Sequence, residues 1–159
     1  MTGLHVQKVT RHDNVELTLR FFAFDFFLPS YRGNLKHFLD KATHELNSIW
    51  DSKAQHISER AEQLSKAIIT TNEIFGKDAF RSWSQEKQVF HGRFNRAVFD
   101  VMVYYFKDPL IRDAAIDQSG EVRAAFEKLA KHDQSFVDSI TGLCQILWTG
   151  KPVVFGCGG

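Results

Sequence analysis

Residues 54–75, AQHISERAEQLSKAIITTNEIF, carry the most regular pattern in the 159-residue chain. Apolar side chains recur there at alternating spacings of three and four over three heptads, as on one face of an α-helix. They are Ala54, Ile57, Ala61, Leu64, Ile68, Thr71 and Phe75. Glu62 and Lys66 stand four apart on the other face in the favourable order, and Gly76 follows where a C-terminal cap is expected. The stretch predicts a long amphipathic helix.

The chain before this stretch predicts two further helices. The first begins at Asp13, which has Glu16 three positions later as in a capping box, and ends at Pro29. Its predicted inner face consists of Val15, Leu19, Phe22 and Phe26. Alternating apolar residues over 17–21 leave a strand as the other interpretation. A second helix is predicted over residues 34–50, where one apolar stripe excludes the charged residues.

Residues 94–106 leave almost no polar face. An apolar helix of this length is too short to cross a bilayer and is typical of the central helix of a bundle. Arg96 and Asp100, four positions apart, supply its polar seam. The pattern is weaker before this segment, where we expect only a short helical turn over residues 79–83.

The C-terminal part of the chain predicts three more helices. Pro109 stands in the first turn of a short helix that reaches Ile116. Residues 122–129 supply another apolar face, and a last helix runs from an N-cap at Asp133 to residue 148. The sequence therefore predicts an all-α fold: a compact bundle of five to seven helices with a hydrophobic central helix.

Composition predicts one globular domain. A chain that is 43% hydrophobic and 25% charged is neither a disordered tail nor a disulfide scaffold. We expect an N-terminal arm over residues 1–12, a single helical domain over 13–150 and a glycine-rich C-terminal tail over 151–159. The net charge of +1 indicates no global field for nucleic acid or an acidic membrane.

Targeting signals and cysteines favour the cytoplasm. The N-terminus lacks a secretory hydrophobic region, and the apolar run over residues 21–28 is far below the ~20 residues that span a bilayer. Cys144 and Cys157 form neither a CxxC motif nor a metal-ligand spacing, which suits free thiols in a reducing compartment. We expect a cytoplasmic protein without a membrane partner.

Cofactor and metal motifs are missing from the sequence. Pro152 follows Gly150 and Lys151, which excludes the P-loop pattern, and no GxGxxG occurs. The seven histidines form no HExxH or HxxxH pair. We therefore expect no cofactor and no metal.

Arg32 is followed, after four residues, by His37. On a helical scaffold this Arg-x4-His pattern resembles the active site of the HEPN ribonucleases, and the resemblance implies that both residues act on the scissile phosphate without a metal. The chemistry is consistent, because a cation stabilises a developing phosphorane while histidine moves a proton. In the other interpretation, Gly33 turns the chain and Arg32 is solvated.

Charged residues also lie within the first, very apolar helix. Glu16 and Arg20, four positions apart, are interpreted as a mutually satisfied pair near the core. The alternative is that Arg20 faces a nucleic-acid phosphate or a partner domain. Asp25 would be a candidate general base if it were buried. Because its neighbours in sequence include no histidine or second carboxylate, we expect it at the surface.

Several segments occur in the order found in one large bacterial family. They are ELTLRFFA at 16–23, YRG at 31–33, Phe38-Leu39 with Asn47, FGKDAF at 75–80 and RFNRAVFD at 93–100. Over roughly residues 11–140 they resemble the helical region of the N-terminal subunit of GmrSD-type modification-dependent restriction endonucleases and their ParB-like relatives.

The resemblance implies a second, N-terminal ParB/sulfiredoxin-like domain in family members. That domain carries a DGQQR-type motif linked to nucleotide hydrolysis and to sensing of modified DNA in anti-phage defence. This chain contains no such motif, so we expect the helical half alone, without the family's catalytic residues. The scaffold positions that match are Glu16, Arg20, Tyr31, Gly33, Phe75, Gly76, Phe80, Asn95 and Phe99.

The leading hypothesis is a non-catalytic helical assembly domain in a DNA restriction system. It would pack against another copy or a ParB-like partner chain and reach nucleic acid through that partner. The candidate structural or interaction residues are Glu16, Arg20, Tyr31, Asn95 and Asp100. The alternatives are a metal-independent ribonuclease that uses Arg32 and His37, and direct DNA binding by exposed basic residues, which would weaken steeply with salt.

Overall fold

The computed structural model describes residues 11–141. Within this range the helices are α1 (Arg11–Phe27), α2 (Leu35–Phe75), α3 (Arg96–Phe106), α4 (Pro109–Asp117), α5 (Ser119–His132) and α6 (Gln134–Thr141). An antiparallel hairpin of β1 (Ser82–Ser84) and β2 (Val89–His91) lies between α2 and α3, and single 3-10 turns follow α1 and α2. The predicted all-α bundle of five to seven helices is confirmed. The predicted tail over 151–159, most of the predicted arm and the predicted end of the last helix lie outside the described residues.

The long helix α2 corrects the prediction of two separate helices. It runs without a break for 41 residues, which is about 60 Å at 1.5 Å per residue. No glycine or proline occurs between Trp50 and Ala54 to end the first segment. The Asn34 side chain caps the start by accepting a hydrogen bond from the backbone N–H of His37 at 3.0 Å. Gly76 ends the helix at a φ of +56°, which glycine adopts without strain.

Helix α3 occupies the centre of the bundle, as predicted. It packs against α1, α2, α4 and α6. Its buried apolar residues are Val98, Phe99, Met102, Val103 and Phe106. The Asn95 side chain caps its start by accepting from the backbone N–H groups of Ala97 and Val98.

Helix α1 is a helix and not the alternative strand, but its buried face differs from the prediction. Val15, predicted to point inward, is 66% exposed. Leu17 and Phe21, left out of the predicted face, are buried. Leu17 and Phe21 are buried because α1 packs against both α2 and α3, so its buried side is wider than one stripe. The helix also begins at Arg11, so Asp13 is inside the helix and is not its N-cap.

The hairpin replaces the helical turn predicted over residues 79–83. Trp83 pairs with Phe90 across its two strands, and their rings meet edge to face at 5.1 Å. Phe90 also stacks on Phe126 of α5 at 5.9 Å. These ring contacts with a distant helix favour an extended backbone that local periodicity does not indicate. None of the helices between residues 11 and 141 is long and apolar enough to span a membrane.

Candidate functional site

A buried ion pair joins α1 to α3. The Arg20 guanidinium donates from Nε to Oδ1 of Asp100 at 3.0 Å and from Nη2 to Oδ2. The two side chains are only 6% and 8% exposed. Such a two-point contact is the strongest geometry available to an arginine and a carboxylate. Both Asp100 oxygens are therefore already hydrogen-bonded inside the protein.

The pair is the inner end of a network of four charges. The second terminal nitrogen of Arg20 lies 3.8 Å from Oε1 of Glu16, and Nε of Arg96 lies 3.3 Å from the same oxygen. Arginines and carboxylates alternate along the network, from half-exposed Arg96 to buried Asp100, so its charges cancel. Arg20 faces the interior, as the pairing interpretation expected, and not a nucleic-acid phosphate. The two residues of the predicted polar seam on α3 have different partners on α1, because Arg96 contacts Glu16 whereas Asp100 contacts Arg20.

Tyr31 is close enough to this network to be influenced by it. Its ring packs edge to face against Phe24 at 5.8 Å and Phe38 at 5.1 Å. Burial raises the pKa of the Tyr31 hydroxyl; the positive charge of Arg20 opposes this rise and the negative charge of Asp100 adds to it. Burial also raises the pKa of the Asp100 carboxyl, against the hydrogen bond and charge of Arg20. Four of the five candidate residues are therefore in one electrostatic neighbourhood.

Asn95, the fifth candidate, connects three parts of the fold. In addition to capping α3, its amide nitrogen donates to Oγ of Ser82 at 2.7 Å and to the carbonyl oxygen of Ile140 at 2.6 Å. These bonds tie β1 and α6 to the start of α3. With its donors and its acceptor engaged, the amide has a positioning role in the fold.

Asp25 corrects the prediction of a surface carboxylate. Its side chain is only 5% exposed, and Nζ of Lys107 donates to Oδ1 at 2.6 Å. Nε of Arg60 lies 3.2 Å from Oδ2, an ion pair without hydrogen-bond geometry. These cations come from α2 and the end of α3, so no pattern near Asp25 in the sequence indicates them. Asp25 is held between two cations and not placed in an open cleft.

Arg32 and His37 lie on either side of the start of α2. The Arg32 guanidinium donates to the backbone carbonyl oxygens of Pro29 at 2.8 Å and of Tyr31 at 2.9 Å, and both Arg32 and His37 are exposed. Gly33 between them has a φ of +86°, as expected where the chain turns. Within residues 11–141 no hydrogen bond joins the two side chains, so the ribonuclease interpretation gains no geometric support.

Helix α4 exposes large apolar side chains next to charged ones such as Asp113, whose side chain is 73% exposed. Leu110 is 82% exposed, and Ile111 and Ile116 are each 43% exposed. Ala115, four positions after Ile111, is buried. Leu110, Ile111 and Ala114 lie at positions i, i+1 and i+4, so they share one side of the helix. We call these three residues the α4 face.

An apolar cavity opens beside this face. It encloses about 370 Å³ between α3, α4, α5 and α6, next to the end of α2. Ile111 and Ala114 belong to its lining, so the α4 face continues into the cavity. Periodicity in the sequence indicates which residues are apolar, but a cavity depends on where neighbouring helices leave a gap. Sequence reasoning therefore missed it.

Comparisons with known proteins identified no relative of this chain. No family model matches the chain, and neither the curated proteins nor the solved structures include a similar one. Residues 11–141 contain no group of three or more histidine, cysteine, aspartate or glutamate side chains arranged to hold a metal ion. A functional proposal therefore rests on the arrangement of side chains within residues 11–141.

Proposed function

We propose that this chain is a non-catalytic helical assembly domain that binds a partner protein through the α4 face. The exposure of Leu110, Ile111 and Ala114 on one side of α4 carries the proposal. Exposed apolar side chains that cluster on one part of a protein surface mark an interaction site.

The α4 face is held rigidly enough to serve as a docking surface. The Asp108 side chain caps α4 by accepting from the backbone N–H of Leu110 at 2.8 Å. Arg112 donates to Oε1 of Gln63 at 3.1 Å and to the carbonyl oxygen of Phe106 at 3.3 Å. These bonds tie α4 to α2 and to the end of α3, so a partner meets a preformed surface and its binding orders little of this chain.

The family resemblance suggests the identity of the partner. A chain similar to the helical half of a modification-dependent restriction protein would assemble with a ParB-like half. Contact with DNA would then occur through that partner, which suits a helical domain whose net charge is only +1. A second copy of the chain is the competing partner.

Light scattering after size exclusion tests the proposal. The chain is measured alone at increasing concentration and after co-expression with a ParB-like protein carrying a DGQQR motif. We expect a complex with the ParB-like chain, and we expect Leu110→Asp to weaken it at least tenfold. Val15→Asp is the matched control, because Val15 is an exposed valine on α1 and its substitution should change the affinity less than twofold.

Two outcomes would contradict the proposal. One is a strict monomer at high concentration that also ignores the ParB-like chain. The other is a complex that Leu110→Asp and Val15→Asp weaken equally, which would place the contact elsewhere. Self-association that Leu110→Asp abolishes would keep the α4 face as the interface and change the partner to a second copy.

A further inference from the structure

The cavity between α3, α4, α5 and α6 has the dimensions of a small-molecule site. Its volume of about 370 Å³ lies within the ~300–1,000 Å³ that is usual for ligand pockets. Aromatic and aliphatic side chains from every surrounding helix form its walls. Those that reach deepest into the core are Phe75, Met102, Phe106, Ala115 and Phe126.

The residues that line the cavity disfavour a charged ligand. Among the described residues, the side chains that line the cavity include none that is charged. Two arginines on α4 and α5 are already paired: Arg112 bonds to Gln63, and Arg123 bonds to Asp78 at 2.7 Å. A buried carboxylate or ammonium group of a ligand would therefore lack compensation in this cavity.

A polar position remains at the end of α4. Gln118 belongs to the lining, and a glutamine side-chain amide both donates and accepts hydrogen bonds. We propose that the cavity binds a neutral, largely apolar small molecule with one hydroxyl-like group directed at Gln118, of the medium-chain fatty alcohol class. An engineered cavity of ~150 Å³ accommodates the six carbons of benzene, so 370 Å³ suits about 15 non-hydrogen atoms.

The walls are fixed independently of any ligand. Asn95 caps α3 and Asp108 caps α4. Arg123 of α5 donates to the carbonyl oxygen of Phe75 at 3.1 Å as well as to Asp78, which fastens α5 to the end of α2. Such anchoring keeps an apolar cavity from collapsing and lowers the ordering cost of binding. The inference goes beyond the assembly function, because binding to the isolated chain requires no partner.

Fluorescence titration of the purified chain tests the inference. The probe is N-phenyl-1-naphthylamine, a neutral aromatic whose emission rises in apolar surroundings, and the competitors are 1-decanol and decanoate. We expect saturable 1:1 binding of the probe and displacement by 1-decanol at a concentration at least tenfold below that needed for decanoate at pH 8.

Substitutions place the site. Ala114→Trp fills the mouth of the cavity, and Val101→Phe reduces the volume of the cavity. Each substitution should weaken binding of the probe and of 1-decanol at least tenfold. Ala54→Trp, at an exposed alanine of α2, is the matched control and should stay within twofold. Gln118→Leu should weaken 1-decanol about three- to tenfold, as expected for one lost hydrogen bond, while probe affinity is retained. Circular dichroism checks that each variant is folded.

The inference is overturned if the wild-type chain shows no saturable binding of the probe. In that case the cavity would be filled by another part of this chain or by a partner protein. The inference is equally overturned if the folded Ala114→Trp and Val101→Phe variants bind as the wild type does. Decanoate binding as tightly as 1-decanol would refute the selection for a neutral ligand. Loss of the ParB-like complex in Leu110→Asp with ligand binding intact would separate this site from the proposed assembly function.

Discussion

Replacing Arg20 with methionine measures the contribution of the buried ion pair between α1 and α3. Methionine keeps an unbranched side chain but removes the guanidinium, which leaves the 8%-exposed Asp100 carboxylate without its two N–H donors. Breaking a buried pair from one side costs about 3–5 kcal/mol. We expect the free energy of unfolding at pH 7 to fall by that amount. At ~2–4 °C per kcal/mol for a chain of this size, Tm should fall by roughly 6–20 °C.

The loss should depend on pH in a defined direction. Burial raises the pKa of Asp100 above its ordinary 3.8 although Arg20 opposes the rise, so removing Arg20 should raise that pKa further. A carboxyl whose pKa is higher in the folded than in the unfolded chain binds its proton more tightly when folded. Its contribution to stability is therefore greatest below the unfolded pKa and declines as the pH rises through the folded pKa. The cost of Arg20→Met should be smaller at pH 5 than at pH 7.

Urea unfolding followed by circular dichroism at both pH values provides the test. Arg96→Met is the matched control, because Arg96 belongs to the same network but its side chain is 47% exposed, and it should cost at most ~1 kcal/mol. The double variant Arg20→Met/Asp100→Asn also removes the orphaned charge and should recover most of the loss. The reasoning fails if Arg20→Met costs less than the control, if its cost is equal at both pH values, or if the double variant is no more stable than the single one.

Three further predictions concern the frame of the bundle and the ribonuclease hypothesis. Asn95→Ala should lower the free energy of unfolding by about 1–3 kcal/mol, because it removes a helix cap and two side-chain hydrogen bonds; Val15→Ala, at an exposed position of α1, is the control in the same urea titration and should stay within about 0.5 kcal/mol of the wild type. Ser52→Pro should cost about 3 kcal/mol or more because it interrupts α2, whereas Ser52→Ala should be nearly neutral, and equal thermal melts of the two would argue for separate helices. RNA incubated with the chain and EDTA should remain intact on a denaturing gel; cleavage that disappears in Arg32→Ala and His37→Ala would establish the ribonuclease instead.

Signals with a local mechanism predicted the frame of the fold. Pro109 lies at the start of α4, and Asp133 caps α6 by accepting from the backbone N–H of Phe136 at 2.9 Å. Cap and turn chemistry depends on neighbours within four residues, so it is readable from sequence. The hairpin between α2 and α3 is different, because the backbone at Phe80 and Gln88 has positive φ without glycine. Distant ring contacts support that geometry, and no local pattern indicates it.

The candidate site shows the same division between local and distant causes. Glu16 and Arg20 lie one helical turn apart, and their pairing is predictable from spacing. The stronger partner of Arg20 is Asp100, 80 positions away, and Asp25 finds Lys107 at a separation of 82. The sequence identified the charged residues in apolar helices. Their partners depend on how α1 and α3 cross, which is a property of packing.

The distribution of polar and apolar groups over residues 11–141 is the reason why we propose an assembly function. A catalytic centre needs polar groups with open positions facing a cleft. In the described part of this chain, the buried carboxylates of Asp25 and Asp100 contact arginine or lysine, while the cavity beside α4 is lined with carbon-rich side chains. Ion pairs whose charged groups are already engaged make the fold rigid but leave no group free to contact a substrate. The exposed Leu110 side chain can contact a partner but carries no reactive group. Both features are what a helical domain requires if its task is to hold another molecule in place.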